Sequence, residues 1–425
     1  MRWGTNFHPD LNTNNNKLQK YQTNIRLYPY FRMTSDGFAR IAVFFLYMSS
    51  VLSLERVILL SAIYYLSVFV LEVPSGYFSD RFGRRTTLML SAFCMIIANS
   101  CFIVGGSFAW FAVAQFFLAA GMAMQSGTDT AFHFDSLIAL GQEHEYQQRE
   151  AKAEQWGLTM LAIATLSGGA LGLIDFRLAY GYSLLSAIVM AVLVARFSEP
   201  RHSHSAADED LYKGFLSVLK ACFRRMRDPV LLWIFLVMVA LYTLAHIVYE
   251  FYQPYISLLD ISLFDAREYA PLLSGIVISI SMFGGALAAR VSVGWHRKLG
   301  LVGLFLLAAM IQLSIVGSMA LLLHSSILLL ICARNFPMSL VHAPVNSVIA
   351  PRISSTQRAT YLSIQGLAER VVFALILLVL SSGLEKGQPV NETALVDILM
   401  QTFLAGVVVI GLLFLFGKRI VKFLG

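Results

Sequence analysis

Long apolar segments alternate with short polar loops along almost the whole chain of 425 residues. A helix needs about 20 mostly apolar residues to cross the hydrocarbon of a bilayer. Twelve segments satisfy this length, and the pattern therefore predicts an all-α membrane protein with twelve transmembrane helices. Their expected limits are 28–53, 56–79, 84–105, 108–134, 155–175, 177–197, 229–257, 269–292, 299–323, 325–350, 358–382 and 394–417.

The composition agrees with this pattern. Hydrophobic residues make up 57% of the chain and charged residues 13%, whereas soluble domains carry about 25% charged residues. These values exclude a soluble globular enzyme, a disordered chain and a coiled coil. The four cysteines contain no CxxC pair, so neither a disulfide framework nor a zinc site is indicated.

The charges between the segments predict the orientation. The loops on one side hold most of the 32 Lys and Arg residues. The loops on the other side hold only Arg56, Arg177, Arg267 and Lys386. Cytoplasmic loops of membrane proteins carry an excess of Lys and Arg. We therefore expect both termini to be cytoplasmic, in the inner membrane of a bacterium, and the net charge of +7 gives no reason to expect a nucleic-acid partner.

The longest internal polar stretch divides the chain into two similar parts. We expect a polar N-terminal tail over residues 1–27 and a six-helix bundle over 28–197. A cytoplasmic linker over 198–228 then leads to a second six-helix bundle with a short tail over 229–425. Parallel six-helix repeats with a central site between them are a recurring plan of transporters.

The most specific local pattern is the loop Gly76-Tyr-Phe-Ser-Asp80-Arg81-Phe-Gly83-Arg84-Arg85. A tight turn accounts for Gly83, and the orientation of the chain accounts for the arginines. An acidic group such as Asp80 can face the partial positive charge of a helix N-terminus. The arginines can then hold carboxylates of neighbouring helices, of which Asp135 is the expected one. The alternative is a loop that only sets the topology.

This loop resembles the signature of the major facilitator superfamily, Gly-x-x-x-Asp-Arg-x-Gly-Arg-Arg/Lys, at every fixed position. The resemblance implies two six-helix bundles around one cavity, and alternating access by rocking. It also implies a gating role for Gly76, Asp80, Arg81, Gly83, Arg84 and Arg85. The fifth segment contains Ser167-Gly168-Gly169-Ala-Leu-Gly172 without the proline of the drug/proton antiporters of this superfamily.

Ionisable residues at membrane depth are costly and are therefore candidates for function. The predicted proton and substrate site consists of Asp36, Arg40, Asp129, His133, His246, Glu250, Arg334, Glu369 and Arg370. Asp129 and His133 are four residues apart, as are His246 and Glu250, so each pair shares a helix face. For Arg334 we expect a pair across the cavity with Asp129 or Glu250, or an anionic substrate. The alternative for all of these residues is that they only lock the helices together.

These observations predict a secondary active transporter of a small organic solute, since no GxxxxGK[ST] loop for ATP is present. Proton-coupled efflux is the leading expectation. A carrier of an anionic metabolite or siderophore, in either direction, and a non-transporting membrane sensor are the alternatives. We expect a monomer in the lipid bilayer, with protons as the coupling ion, and no cofactor, metal or enzymatic activity.

Overall fold

The structure is a computed structural model that describes residues 11–200, 228–261, 265–353 and 355–424. Every regular element in these ranges is helical. The helices are α1 (Leu11–Ser35), α2 (Phe44–Ser49), α3 (Leu54–Phe82), α4 (Arg84–Val104), α5 (Phe108–Gln125), α6 (Thr128–Ile138), α7 (Tyr146–Gly172), α8 (Phe176–Ala195), α9 (Pro229–Ser257), α10 (Ala266–Leu321), α11 (Ile327–Ile331), α12 (Phe336–Ile349), α13 (Ser355–Ser382) and α14 (Glu392–Leu424). Two 3₁₀ turns lie at Ala39–Ala42 and Glu143–Glu145.

The predicted all-α membrane fold is confirmed. In the described part of the chain, nine helical stretches are long and apolar enough to cross a membrane, judged by length and composition. Large apolar side chains such as Phe283, Leu329 and Phe416 are about four-fifths exposed. Apolar surface of this extent is unfavourable in water and favourable against lipid.

The number of twelve spans stays a prediction. Helix α10 covers both the eighth and the ninth predicted segment, with a break at Gly300, where φ is +66°. The first segment is divided between α1, a 3₁₀ turn and α2. Helix α7 covers the fifth segment but starts with several polar residues, which lower its mean hydropathy.

The predicted domain limits are neither supported nor contradicted by the helices alone. Most of the predicted linker, residues 201–227, lies outside the described residues. Helix α1 begins at Leu11, within the predicted polar tail. Its residue Asn24 is fully buried and donates hydrogen bonds to Ser136 Oγ (3.1 Å) and to the Ser198 carbonyl oxygen (2.8 Å). The Asn24 Oδ1 accepts a third from the Ser198 N–H (2.9 Å).

Helix α9 lies at the centre of the molecule and packs against α10, α13 and α14. Most of its side chains are buried. Helix α3 packs against α5 and also against α13, from the other end of the sequence. We call the end of the molecule where Gly83 joins α3 to α4 the loop end, and the end where α3 begins the far end.

Candidate functional site

The first predicted segment is interrupted near its middle. Helix α1 ends at Ser35, and α2 begins at Phe44 after a 3₁₀ turn. Backbone groups freed by such a break must find partners, because the membrane interior offers no water. The Gln253 side chain of α9 supplies them: its Oε1 accepts from the N–H groups of Phe45 (2.9 Å) and Leu46 (3.3 Å), and its Nε2 donates to the Ile41 carbonyl oxygen (2.8 Å).

A cavity of about 540 Å³ lies beside this break, within the range of small-molecule sites, about 300–1,000 Å³. Its wall is built from residues of α1, the break, α2, α3, α4, α5, α6, α8, α9 and α13. The wall includes these predicted site residues: Asp36, Arg40, Asp129, His246, Glu250 and Arg370. The structure places His133, Arg334 and Glu369 outside the wall.

The loop-end part of the wall is dominated by Arg32. Its guanidinium contacts Asp36 (3.5 Å) on the next turn of α1 and Asp129 (2.6 Å) in the first turn of α6. It also contacts Glu154 of α7 (2.5 Å). The two cavity acids Asp36 and Asp129 therefore share one cation with Glu154. Sequence reasoning did not include Arg32 in the site, although its spacing of four residues from Asp36 was a signal for it.

His133 does not pair with Asp129, although the two are four residues apart. Its Nδ1 lies 2.5 Å from Glu150 Oε2, and its ring stacks on Tyr28 with 4.0 Å between the ring centres. The Tyr28 hydroxyl donates to the other oxygen of Glu150 (3.2 Å). This buried cluster joins α1, α6 and α7 behind the cavity wall.

Arg370 of α13 forms an ion pair with Glu72 of α3. Both residues line the cavity. This pair links the part of the chain before the linker with the part after it. Glu369, the sequence neighbour of Arg370, points elsewhere and accepts a hydrogen bond from Gln365 (2.9 Å).

Glu250 lies deeper in the cavity and is only 1% exposed. Its Oε1 accepts a hydrogen bond from Ser61 of α3. No Lys, Arg or His side chain of the described residues lies within 4.0 Å of its carboxylate. His246, one turn earlier, instead donates from Nδ1 to the Tyr242 carbonyl oxygen (3.0 Å) and stacks on the Tyr242 ring.

Two buried arginines have aromatic neighbours in place of carboxylates. The guanidinium carbon of Arg40 lies 4.7 Å from the ring centre of Phe38. That of Arg334 lies 5.0 Å from Tyr249 and 5.7 Å from Tyr252. Within the described ranges, neither guanidinium has an acidic group within 4.0 Å, and neither Nε has a hydrogen-bond partner. The expected pair of Arg334 with Asp129 or Glu250 is thus not formed in this conformation.

At the loop end, Gly83 separates α3 from α4 with φ at +99°, a conformation that favours glycine. The Glu199 carboxylate accepts from the backbone N–H groups of Arg84 (2.7 Å) and Arg85 (2.8 Å). These are orphan donors of the first turn of α4, and a negative charge there is favourable. Sequence reasoning assigned this kind of contact to Asp80 and missed Glu199.

The acidic residue Asp80 instead contacts Arg84. The Arg84 Nη1 lies 2.7 Å from Asp80 Oδ1, and its Nε lies 3.5 Å from Asp135 Oδ2 of α6. Arg85 donates to the carbonyl oxygens at the end of α8, and Arg81 donates to the Tyr77 hydroxyl (2.8 Å). The loop is therefore tied to both α6 and α8. Gly76 faces open space.

At the far end, the start of α3 is tied to the chain between α13 and α14. The Leu54 N–H donates to the Gln388 carbonyl oxygen (3.0 Å), and the Gly387 N–H donates to Glu55 Oε2 (2.9 Å). The cavity wall extends the other way, to Ser126 and Gly127, which are exposed. The far end is thus closed by these contacts and by Gln253.

A bundle of apolar helices around a cavity with buried charges is an arrangement found in many membrane transporters. The sequence profile of the Major Facilitator Superfamily matches residues 31–131. A comparison with curated protein sequences finds no match.

Solved transporter structures share the fold. A mutant of the nucleoside transporter NupG superposes with a TM-score of 0.71 at 12% identity, over 93% of this chain and 98% of that one. A bacterial homolog of the human lysosomal transporter Spinster, inward-facing and occupied, gives 0.64 at 16%, over 94% and 96%. A D-xylose–proton symporter gives 0.63 at 14%, over 92% and 96%. The profile match over residues 31–131 and the shared fold agree with the predicted resemblance: this part of the chain is similar to the major facilitator superfamily, and the fold is that of the solved transporters.

Proposed function

We propose that this secondary transporter exports a small organic solute in exchange for protons, through the cavity between α3, α9 and α13. The observation that carries the proposal is Glu250, a carboxylate on the cavity wall with no cationic partner among the described residues. A buried carboxylate without a counter-charge is strongly unfavourable. Either a proton or a positively charged group of a solute can neutralise the carboxylate. The two cannot bind to it at the same time.

The groups that surround Glu250 fit this role. Ser61 donates to it from α3, and Tyr65 and Tyr249 lie close enough to interact with it electrostatically. None of these three side chains carries a permanent charge. The occupancy of the site by a proton or by a cation therefore decides the local charge.

In this conformation the cavity opens towards the loop end. The cavity extends to the exposed residues Ser126 and Gly127, while the far end is closed. We take the loop end to be cytoplasmic, as the positive-inside pattern predicts. A cytoplasmic solute then enters this conformation. The proton enters from the other side after the two halves rock about the central site, as in other transporters built from two repeats.

In this scheme the contacts of the gating motif, which we call the loop-end latch, tie α3 and α4 to α6 and α8 within the first half while the cavity is open at the loop end. The motif consists of Gly76, Asp80 and Arg81 near the end of α3, Gly83 between the helices, and Arg84 and Arg85 at the start of α4. Asp135 is the carboxylate of α6 that Arg84 contacts. Because Arg84 contacts acids on two different helices, a shift of α6 relative to α3 breaks one contact and keeps the other. The latch can therefore release without leaving the arginine unpaired.

An importer or exporter of an anionic metabolite or siderophore is the second candidate. Arg40 favours it, because its buried guanidinium lines the cavity without an acidic partner in the described part of the chain. A non-transporting sensor would share the cavity but would not couple its conformation to a proton gradient.

Proton coupling can be tested without knowledge of the solute. Spin labels at His144 and Lys298, both exposed at the loop end, are introduced into the full chain after replacement of the native cysteines. Their distance distribution in lipid nanodiscs is measured by pulsed electron paramagnetic resonance between pH 5 and pH 8. We expect the ratio of the two distance populations to change about tenfold for each unit by which the pKa of Glu250 differs between the two conformations.

Two variants decide the outcome. Glu250→Gln carries a permanently neutral side chain of the same shape and should remove the pH dependence. Glu369→Gln is the matched control, since Glu369 is a buried acid outside the cavity wall, and should retain it. A wild-type protein without pH dependence, or a Glu250→Gln variant that keeps it, would contradict the proposal.

A further inference from the structure

The charges that line the cavity are paired, with two exceptions. Arg32 contacts both Asp36 and Asp129, and Arg370 contacts Glu72, so each of these side chains has an oppositely charged neighbour. The groups that remain are the guanidinium of Arg40 and the carboxylate of Glu250. Within the described ranges, the cavity therefore presents one unpaired group of each sign to whatever fills it.

Arg40 is placed for an anion. It belongs to the 3₁₀ turn in the break of the first segment, where its backbone N–H is taken by Ser183 Oγ (3.1 Å). Its side chain is 9% exposed and its Nε has no partner. The flat guanidinium fork matches the two oxygens of a carboxylate, and Phe38 is the ring the structure places beside it.

Glu250 is placed for a cation. Its carboxylate is 1% exposed, and Ser61 alone among the described side chains is shown to donate to it. A single hydroxyl does not satisfy a buried carboxylate, which has about four acceptor sites. An ammonium group of a solute has three donors and a full positive charge, so it would provide what the site lacks.

Tyr249 belongs to the same cavity wall as the two groups and precedes Glu250 in sequence. Its ring is fixed by stacking on Phe44 (5.3 Å between centres, 17° between planes) and by Arg334 behind it. Phe44 and the edge of the Tyr249 ring together give the cavity wall an aromatic surface that suits the apolar body of a solute.

We propose that the solute is a zwitterion of amino-acid type, with its carboxylate on Arg40, its ammonium group on Glu250 and an apolar body against Tyr249. The proposal rests on the proposed function, because it assumes that this cavity is the transport site. It also explains the exchange: a proton on Glu250 removes the charge that holds the ammonium group, so proton binding releases the solute. The proton and the solute alternate at one carboxylate.

The test is equilibrium binding to the purified full chain in detergent. A panel of free α-, β- and γ-amino acids and dipeptides is screened by the shift of the thermal unfolding temperature, and hits are measured by isothermal titration calorimetry. For each hit, the C-terminal amide lacks the negative charge and the deaminated acid lacks the positive charge. We expect at least one zwitterion to bind, and both analogues to bind at least tenfold more weakly.

Variants then assign the two groups. Arg40→Gln should weaken the zwitterion at least tenfold while leaving the affinity for the amide nearly unchanged. Glu250→Gln should weaken the zwitterion at least tenfold while leaving the affinity for the deaminated acid nearly unchanged. Arg297→Gln and Glu143→Gln, at exposed positions, are matched controls and should change neither affinity. If Arg40→Gln does not fold, Arg40→Lys keeps the charge but not the fork, and the analogue series on the wild-type protein remains decisive.

Three results would overturn the proposal: no zwitterion of the panel binds, the amide binds as tightly as its zwitterion, or the deaminated acid does. The last of these would favour the anionic solute. Failure of the proposed function has a different signature. Loss of pH dependence in the spin-label experiment, with intact and charge-selective binding, would refute proton exchange and leave the solute class standing.

Discussion

Gln253 holds the far end of the cavity closed, and its removal should open that end. Its three hydrogen bonds join α9 to the backbone on both sides of the break before α2. Each contributes about 1 kcal/mol net, so Gln253→Ala should cost this conformation about 3 kcal/mol. When the far end opens, water can satisfy the same backbone groups, and the open conformation is not penalised. Since about 1.4 kcal/mol corresponds to a factor of ten, the open population should rise about 100-fold relative to the closed one.

The far-end distance reports this shift directly. Spin labels at Arg56 and Lys386 are both exposed and lie on the two sides of the closed end. Pulsed electron paramagnetic resonance in nanodiscs should show a longer distance that gains population in Gln253→Ala. Gln312→Ala is the matched control, because Gln312 is equally buried but donates within the second half of the chain, to the Arg334 carbonyl oxygen (3.2 Å). An unchanged distribution in Gln253→Ala, or an equal shift in the control, would refute the reasoning.

Three further predictions concern the latch, the packing of α7 and the ion pair between the halves. Glu199→Ala should lower the free energy of unfolding by about 1 kcal/mol, as the loss of a helix cap does, whereas Glu199→Gln should retain part of the stabilisation. Chemical denaturation measures the stability of both variants. Equal stability of Glu199→Ala and wild type would contradict the capping role. Gly168→Ala places a Cβ 2.0 Å from a backbone oxygen of the 3₁₀ turn and should destabilise the fold by about 1–3 kcal/mol, while Gly181→Ala, which faces open space, should leave the thermal unfolding temperature within error. Glu72→Arg and Arg370→Glu should each shift the loop-end distance distribution and the double swap should restore it; a double variant as perturbed as the single ones would show that the pair is not the link.

The positions of the helices could be predicted because the signal is local. Residues 229–257 were predicted as a span, and α9 runs from Pro229 to Ser257. A continuous apolar window of this kind depends on no other part of the chain. The break between α1 and α2 could not be found this way, since the segment stays apolar and the groups that stabilise the break come from α8 and α9.

The membership of the cavity could be predicted only in part. Ionisable residues within apolar segments identified Asp36, Arg40 and Glu250, which the structure places on one wall. Partners could not be predicted from spacing, because they come from different helices. Asp129 and His133 share a face of α6, yet each has its closest charged neighbour on another helix.

The hydrogen bonds between Asn24 and Ser198 bring the middle of α1 and the chain just after α8 into direct contact. The two ends of the part of the chain that contains the first eight helices are therefore adjacent. Ends that meet in this way tolerate circular permutation and cleavage of the connecting segment. A gene split between residues 201 and 227 should yield two polypeptides that assemble in the membrane, and each half could then be exchanged, labelled or evolved independently of the other.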